Sequence, residues 1–410
     1  MQLVAYGAQD VYLTGNPKVT FFQAVYKRHT NFAMENIEQT VNGTATAGGR
    51  VSVTVARNGD LIADMYVELT CLTAPTITED AWIAESAIST VELSIGGQRI
   101  DKHYQKWWRL YAELYLDESA KLNYGKMTSA TIDNEKVYLP LIFFFNRNPG
   151  LALPLIALQY HEVRIDIDLA STYANFDSLK VWGNYIYLDT EERRRFAQKG
   201  HEYLIEQVQH TGSDSLAAAG STKQIRLSYN HPVKELVWCT TESSNVVGDA
   251  NGVWNFTDTE VTVSSAMASV AASNVAIAPN AAGAPALYGL AQFDEETSGP
   301  LDSFKLVLNG QDRFKEQGGK YFNSVQPFVH HSSSPMPGIY SYSFALKPEE
   351  HQPTGTCNFS RIDNAQVSIS VKGTSSPRGT DSTKNTLNMF ATNYNVLRIQ
   401  SGMGGLAFSN

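Results

Sequence analysis

The chain is poor in cysteine, in positive charge and in long apolar runs, and each shortage narrows what it does. It has 3 cysteines, Cys71, Cys239 and Cys357, in 410 residues. They are far apart, odd in number and free of any CxxC spacing. No zinc site or disulfide framework is suggested, so buried free thiols are expected. The net charge is −9. A grip on nucleic acid wants a basic face, so no direct nucleic-acid contact is expected. No stretch reaches the roughly 18 apolar residues of a membrane helix. The Ala-rich tract 264–291 is broken by Asn274, Pro279, Asn280, Gly283 and Pro285. The N-terminus lacks a basic n-region, and Gln9-Asp10 interrupts it early, so it does not read as a signal peptide. The G-x-S-x-G, P-loop, H-E-x-x-H and G-x-G-x-x-G patterns are missing too. Neither catalytic residues nor cofactors are expected, and Gly402-Met403-Gly404-Gly405 reads as a turn.

What is present favours strands and turns. The chain carries 29 Gly, 15 Pro, 20 Tyr and 18 Phe. Its length exceeds one hydrophobic core, so two domains are expected. Val163, Ile165, Ile167 and Leu169 alternate with Arg164, Asp166 and Asp168, the pattern of a half-buried strand. Leu139–Phe145 reads as another strand, with a turn at Asn146–Gly150 between the two. Further strands are read at 32–41, 51–55, 65–71, 91–95 and 180–188. Trp107, Leu110, Tyr111, Leu114 and Tyr115 place a helix over 103–116. A polar loop is read over 117–136 and a charged helical connector over 191–198. Asn16 and Pro17 suggest a short capped helix in an N-terminal arm, 1–25.

The pattern then repeats in order. Ile205-Glu206-Gln207 echoes Ile37-Glu38-Gln39. Ile225, Leu227 and Tyr229 echo Val51, Val53 and Val55. Val233–Thr241 takes the place of Leu61–Leu72, and FKLVLNGQ (304–311) that of VELSIGGQ (91–98). Tyr340–Ala345 answers Tyr138–Phe145. Val367, Ile369 and Val371 answer Val163, Ile165 and Ile167, and Asn393-Tyr394 answers Asn184-Tyr185. Matches kept in one order indicate an internal duplication of about 200 residues. The expected division is an arm at 1–25, a first unit at 26–198 and a second at 199–410. The second carries a surface insertion, 242–300, rich in Ala, Ser, Asn and Gly, with strand-like pieces at Val253–Phe256 and Glu260–Val263. Eight one-sided strands per unit fit an all-β, two-sheet sandwich with short helices in the loops; pattern alone leaves the winding open.

A few residue groups invite chemistry. Glu162, Arg164, Asp166 and Asp168 form an acidic face that suits a cation or, more simply, solvent and subunit contacts. His330-His331 reads as a surface or turn pair, because neighbours on a strand point opposite ways. His161 is the only histidine in a strand context near acidic groups, too little for a cupin-like metal centre. Arg193-Arg194-Arg195 follows Glu191-Glu192, which favours ion pairs on a helix over phosphate or lipid contact. Three N-x-S/T sequons, Asn42, Asn255 and Asn358, are candidate glycosylation sites, with Asn255 in the insertion the best placed.

Several long segments resemble one family. They are QLVAYGAQDVYLTGNPKVTFF (2–22), IGGQRIDKHY (95–104), PLIFFFNRNPGLALPLIALQYHEV (140–163), HEYLIEQ (201–207), SFALKPEEHQPTGTCNFSRIDNA (343–365) and YNVLRIQSGMGGLAFSN (394–410). The resemblance is to the major capsid proteins of large icosahedral double-stranded DNA viruses, nearest the chlorella-virus type. It implies a double jelly roll, a homotrimer of pseudo-hexagonal outline, and a shell tiled by such capsomers around an inner membrane that the chain does not span. It also implies minor capsid proteins as partners, assembly in the host cytoplasm, an outward tower from the insertion and an arm at the inner side. A glycan- or receptor-binding jelly-roll module on the virion surface is the competing expectation.

Overall fold

The computed structural model describes residues 7–73, 82–130, 132–242, 256, 299–374 and 382–408. Eight main strands build the first half, beside two-residue strands such as Val41–Asn42 and Leu153–Pro154 at the sheet edges: β1 (Phe32–Gln39), β2 (Arg50–Thr54), β3 (Leu61–Cys71), β4 (Ile88–Ile95), β5 (Gln98–Tyr104), β6 (Lys136–Pro140), β7 (Val163–Leu169) and β8 (Phe176–Leu188). Eight more main strands build the second, where Cys357–Asn358 and Met403–Leu406 add short edges: β9 (His201–Ser215), β10 (Lys223–Leu227), β11 (Pro232–Thr241), β12 (Leu301–Leu308), β13 (Gln311–Asp312), β14 (Ile339–Ser343), β15 (Ala365–Val371) and β16 (Thr386–Gln400). In the first half β1-β8-β3-β6 form one sheet and β2-β7-β4-β5 the other. In the second the orders are β9-β16-β11-β14 and β10-β15-β12-β13, the same winding advanced by eight. All these pairings are antiparallel. This is a double jelly roll, and the strand order supplies the winding that the periodicity left open.

Alternation explains each sandwich. In β7, Val163, Ile165 and Ile167 join Val51, Val53, Val91 and Leu93 from the same sheet and Val67, Leu69 and Val181 from the facing one. The second core repeats this with Ile225, Phe304, Leu306, Val367 and Ile369 against Leu236, Trp238 and Met389. Full burial of such side chains contributes about 1.5–3 kcal/mol each. Trp238 stacks on Phe304 at 4.2 Å, the centre of an aromatic group that includes Phe322 and Tyr340.

One sequence match is kept residue for residue. Ile95-Gly96-Gly97-Gln98 and Leu308-Asn309-Gly310-Gln311 are equivalent hairpins. Their central φ values are 58° and 82°, and 52° and 78°, as a two-residue turn between twisted strands requires. A side chain at Gly96 would lie 2.3 Å from His161 Nδ1, so that turn admits only glycine as built. The hairpins also correct the expected register. Val163 lies opposite Ile95 and Ala365 opposite Leu308, so Val163 answers Ala365, two residues before Val367.

Other matches name the right strands but the wrong faces. Tyr138 is half-exposed beside Tyr66, with ring centroids 5.7 Å apart, whereas Tyr340 is buried in the second core. Tyr185 is buried in the first core, whereas the Tyr394 ring lies 5.6 Å from the Lys234 ammonium between the rolls. Ile205 packs with the first roll's core instead of its own. Shifting a strand by one residue exchanges its faces.

Local departures have local causes. The run Leu139–Phe145 is not one strand: β6 ends at Pro140, and Phe144–Arg147 is a helical turn. The Asn146 side chain stabilises that turn, accepting from Phe143 N–H at 3.2 Å and donating to Ala63 O at 2.7 Å. The expected loop 117–136 contains a helix, α2 (Glu118–Thr128), capped by Asp117, which accepts from Ala120 N–H at 2.6 Å. The helix expected over 103–116 is α1 (Gln105–Tyr115), because His103 and Tyr104 still belong to β5. The arm's short helix is Asp10–Leu13, and Asn16-Pro17 instead precede a small hairpin, Lys18–Val19 with Ala24–Val25. The connector is helical as read, α3 (Thr190–Gln198). The insertion's strand-like pieces lie outside the described residues, apart from the buried Phe256.

Candidate assembly site

Helix α1, with β5, carries the contact between the rolls. It leaves the first roll after β5 and lies on the β9-β16-β11-β14 sheet of the second. Its 3.6-residue spacing buries Trp107, Leu110 and Leu114. Trp107 lies 5.6 Å from Phe390 of β16, ring to ring. Tyr115 donates to Glu235 Oε2 of β11 at 2.5 Å, and the Lys106 ammonium reaches Asn388 at 3.4 Å.

Charges are buried along this seam. Glu206 of β9 holds the Lys234 ammonium at 2.6 Å and Arg147, from the first roll, at 3.0 Å. Burial alone would raise the Glu206 carboxyl, but Arg147 and Lys234 outweigh it and hold it below its ordinary value. Burial lowers the Lys234 ammonium against the pull of Glu206. His331 sits between two carboxylates, Nε2 at 2.5 Å from Glu235 and Nδ1 at 3.1 Å from Glu349. Burial alone would lower its pKa; Glu235 and Glu349 push it up to about 9. The imidazolium therefore persists through neutral pH and keeps the two carboxylates together. The Arg147–Glu206 pair and the Tyr115–Glu235 bond cross from one roll to the other and fix one geometry between them.

A second buried group lies between α1, α2 and the short helix Ile83–Ser86. The Arg109 guanidinium is 3.6 Å from the Trp82 ring, pairs with Glu113 at 3.2 Å and faces Glu85 at 3.6 Å. Tyr124 donates to Glu85 Oε1 at 2.5 Å, while Glu85 Oε2 is buried without a hydrogen bond. Burial pushes the Glu85 carboxyl from 4.5 up to about 7, against Arg109. A carboxyl raised on folding favours the fold when protonated. Its contribution is present below pH 4.5 and is lost as pH rises through about 7. Glu85→Gln is therefore expected to remove a stability difference of about 3 kcal/mol between those limits. Thermal melts at intervals from pH 5 to 8 check this: the gap between variant and wild type should widen with pH, and parallel curves would refute it.

The residues singled out in the sequence disperse. Arg164 pairs with Asp166 at 2.7 Å and Arg50 with Asp168 at 2.8 Å, so the acidic face of β7 is a row of ion pairs. His161 Nδ1 lies 2.9 Å from Gly404 O and packs over Gly96. Arg193 reaches Asp60 at 3.0 Å. Cys71 and Cys239 are buried and in no disulfide, with the Cys71 thiol donating to Thr73 O at 3.0 Å; Cys357 is half-buried instead. The histidine pair is not a surface pair: His330 ends helix α4 (Gln326–His330), and the His331 side chain turns wholly inward. Asn42 and Asn358 are exposed, and Asn358 Oδ1 accepts from Ser360 N–H at 3.0 Å. Asn255 lies outside the described residues.

Sequence reasoning missed Glu206, Lys234 and Glu235, because a charged side chain on a strand reads as solvent-facing. A signal existed in β11, where PVKELVWCTT does not alternate, as a strand buried on both faces does not. Large apolar side chains also stand in solvent. Phe21 and Phe22 in the arm are fully exposed, and Phe328 on α4 is 88% exposed. Such surfaces mark contact sites.

Comparison with known proteins agrees with this architecture. Residues 20–189 match the model of the major capsid protein N-terminus, and residues 192–405 match that of the large eukaryotic DNA virus major capsid protein. The chain is 46% identical to the major capsid protein of Paramecium bursaria Chlorella virus 1, over 100% of this chain and 99% of that protein. It is 42% identical to that of Pyramimonas orientalis virus, with the same shares covered. The quasi-atomic PBCV-1 virus capsid superposes with TM-score 0.79 at 42% identity, over 95% of this chain and 100% of that one. The Faustovirus major capsid protein shares the fold, with TM-score 0.68 at 13% identity and 93% of each chain covered. The duplicated jelly rolls, the helix-locked seam and these likenesses lead to one conclusion: this chain belongs to the major capsid protein family of large eukaryotic DNA viruses, and it builds the icosahedral shell of the virion.

Proposed function

We propose that the chain acts as a homotrimer of pseudo-hexagonal outline, and that these capsomers tile the shell. One observation carries this reading: the second roll repeats the strand order of the first. Each chain offers two near-equivalent units, so three chains related by a threefold axis present six. The division implied is an arm at 1–25, rolls at 26–198 and 199–410, and an outward insertion at 242–300. The exposed Phe21 and Phe22 suit the arm to the inner side of the shell, toward minor capsid proteins and the underlying membrane. Assembly in the host cytoplasm completes the reading. The role is structural, with no catalytic step.

The test is the mass in solution. Light scattering on purified protein should give about three times the 45.2 kDa of the chain, and negative-stain images should show hexagonal arrays. A stable monomer at micromolar concentration would sink the proposal.

A further inference from the structure

In the arm, exposed apolar side chains and positive charge coincide. Phe21 and Phe22 are fully exposed, and Val11, Tyr12, Val19 and Tyr26 beside them stand largely in solvent. Residues 7–31 carry Lys18, Lys27 and Arg28 against one acidic residue, Asp10, in a chain whose net charge is −9. The segment is also an ordered one. Arg28 N–H donates to Leu13 O at 2.7 Å and Gly15 N–H to Arg28 O at 3.3 Å, which closes 14–28 into a loop. Inside it, Lys18–Val19 pairs with Ala24–Val25 as a hairpin. At the tip, Thr20 N–H donates to Gln23 O at 2.7 Å, and the Thr20 hydroxyl donates to the same oxygen at 3.2 Å. Gln23 N–H donates to that hydroxyl at 3.0 Å. These bonds set Phe21 and Phe22 next to each other at the apex, with the polar groups that flank them already paired.

We propose that this loop is a lipid anchor. Phe21 and Phe22 enter the boundary between headgroups and acyl chains of a membrane rich in anionic lipid, while Lys18, Lys27 and Arg28 stay at headgroup level. Three features select lipid over a protein partner. The tip is a hairpin apex and not a groove or a flat face, and a bilayer accepts such a shape without a matching pocket. The hydrogen bonds beside the rings are internal, so fewer backbone groups are left unpaired on leaving water. The charges are also spaced for it. Three residues from Lys18 to Phe21 span about 10 Å of extended chain, close to the depth of about 5–10 Å to which an interfacial apolar face sinks. The rest of the chain is acidic, so an anionic surface attracts the arm and repels the remainder. This inference rests on the inward placement of the arm proposed above and names what the arm meets there.

Vesicle flotation tests it on the full-length chain. Wild-type protein should float with vesicles of mixed phosphatidylcholine and phosphatidylserine, and bind pure phosphatidylcholine vesicles at least about tenfold more weakly. Phe21→Ser with Phe22→Ser should lose at least about tenfold in affinity for the mixed vesicles. Its melting temperature should stay unchanged, because both rings are already in solvent. Phe21→Trp with Phe22→Trp should keep the binding, since indole rings suit the membrane interface. Lys18→Glu with Lys27→Glu should weaken binding at about 0.1 M salt and match wild type near about 1 M, where charges are screened within about 3 Å. A trimeric wild type that floats with neither vesicle overturns this inference alone and gives the tip to a protein partner. Flotation unchanged in the serine variant overturns it too. Cleavage of the arm by protease on intact virions overturns the inward placement instead, and flotation that depends on Phe21 and Phe22 stands apart from it.

Discussion

Glu206→Ala is expected to destabilise the protein by about 3–5 kcal/mol, because it leaves a buried ammonium and a partly buried guanidinium without their anion. Lys234 is 1% exposed and Arg147 is 22% exposed at the side chain, and both point at this carboxylate. Their remaining neighbours do not replace it. The Lys234 ammonium also donates to Pro348 O at 2.7 Å, a neutral acceptor. Glu206→Gln keeps the shape and one acceptor, so it should fall between alanine and wild type. Urea unfolding followed by tryptophan fluorescence measures the effect as a lower midpoint at unchanged slope. Glu206→Leu with Lys234→Met and Arg147→Met should recover much of the loss, since apolar replacement of a whole buried charged group is often neutral or stabilising. A loss under about 1 kcal/mol in Glu206→Ala, the range of an exposed pair, would show that water reaches this seam.

Trp107→Ala is the second large effect, also about 3–5 kcal/mol, from lost burial and the cavity left behind. Its consequence differs from that of Trp108→Ala, one residue on. Trp108 donates to Pro140 O at 3.0 Å, a contact inside the first roll. Trp107 lies 5.6 Å from Phe390 and 6.3 Å from Tyr115, so it bridges the rolls. Removing it loosens one roll from the other. Calorimetry should then resolve two transitions in Trp107→Ala and one shifted transition in Trp108→Ala. A single sharp transition in both would mean that the remaining seam contacts couple the rolls without Trp107.

How much was legible in the sequence depended on whether a residue met solvent. The hairpin IGGQ and its echo LNGQ were readable because a two-residue turn demands positive φ at set positions, whatever surrounds it. Strand β7 was readable because one face is wet and the other dry. The same reading failed on Tyr138 and Tyr340, Tyr185 and Tyr394, and Ile37 and Ile205. For the tyrosines the matched positions are out of register, which exchanges faces; Ile205 differs because the outer sheet face of the second roll packs on the first roll's core. The charged residues of the seam were missed for the same reason. Lys234 and Glu235 are polar by composition and buried only because another part of the chain, far away in sequence, neutralises them.

The sequence by itself determined that the chain is a β protein built twice, with turns at fixed places and no long apolar span. Those properties follow from local periodicity and from backbone limits on single residues. Only the tertiary structure decided which faces are dry, that His331 turns inward between Glu235 and Glu349, and that α1 crosses from one roll to the other. Burial belongs to pairs of surfaces distant in the chain, and no local pattern encodes which surface a face will meet.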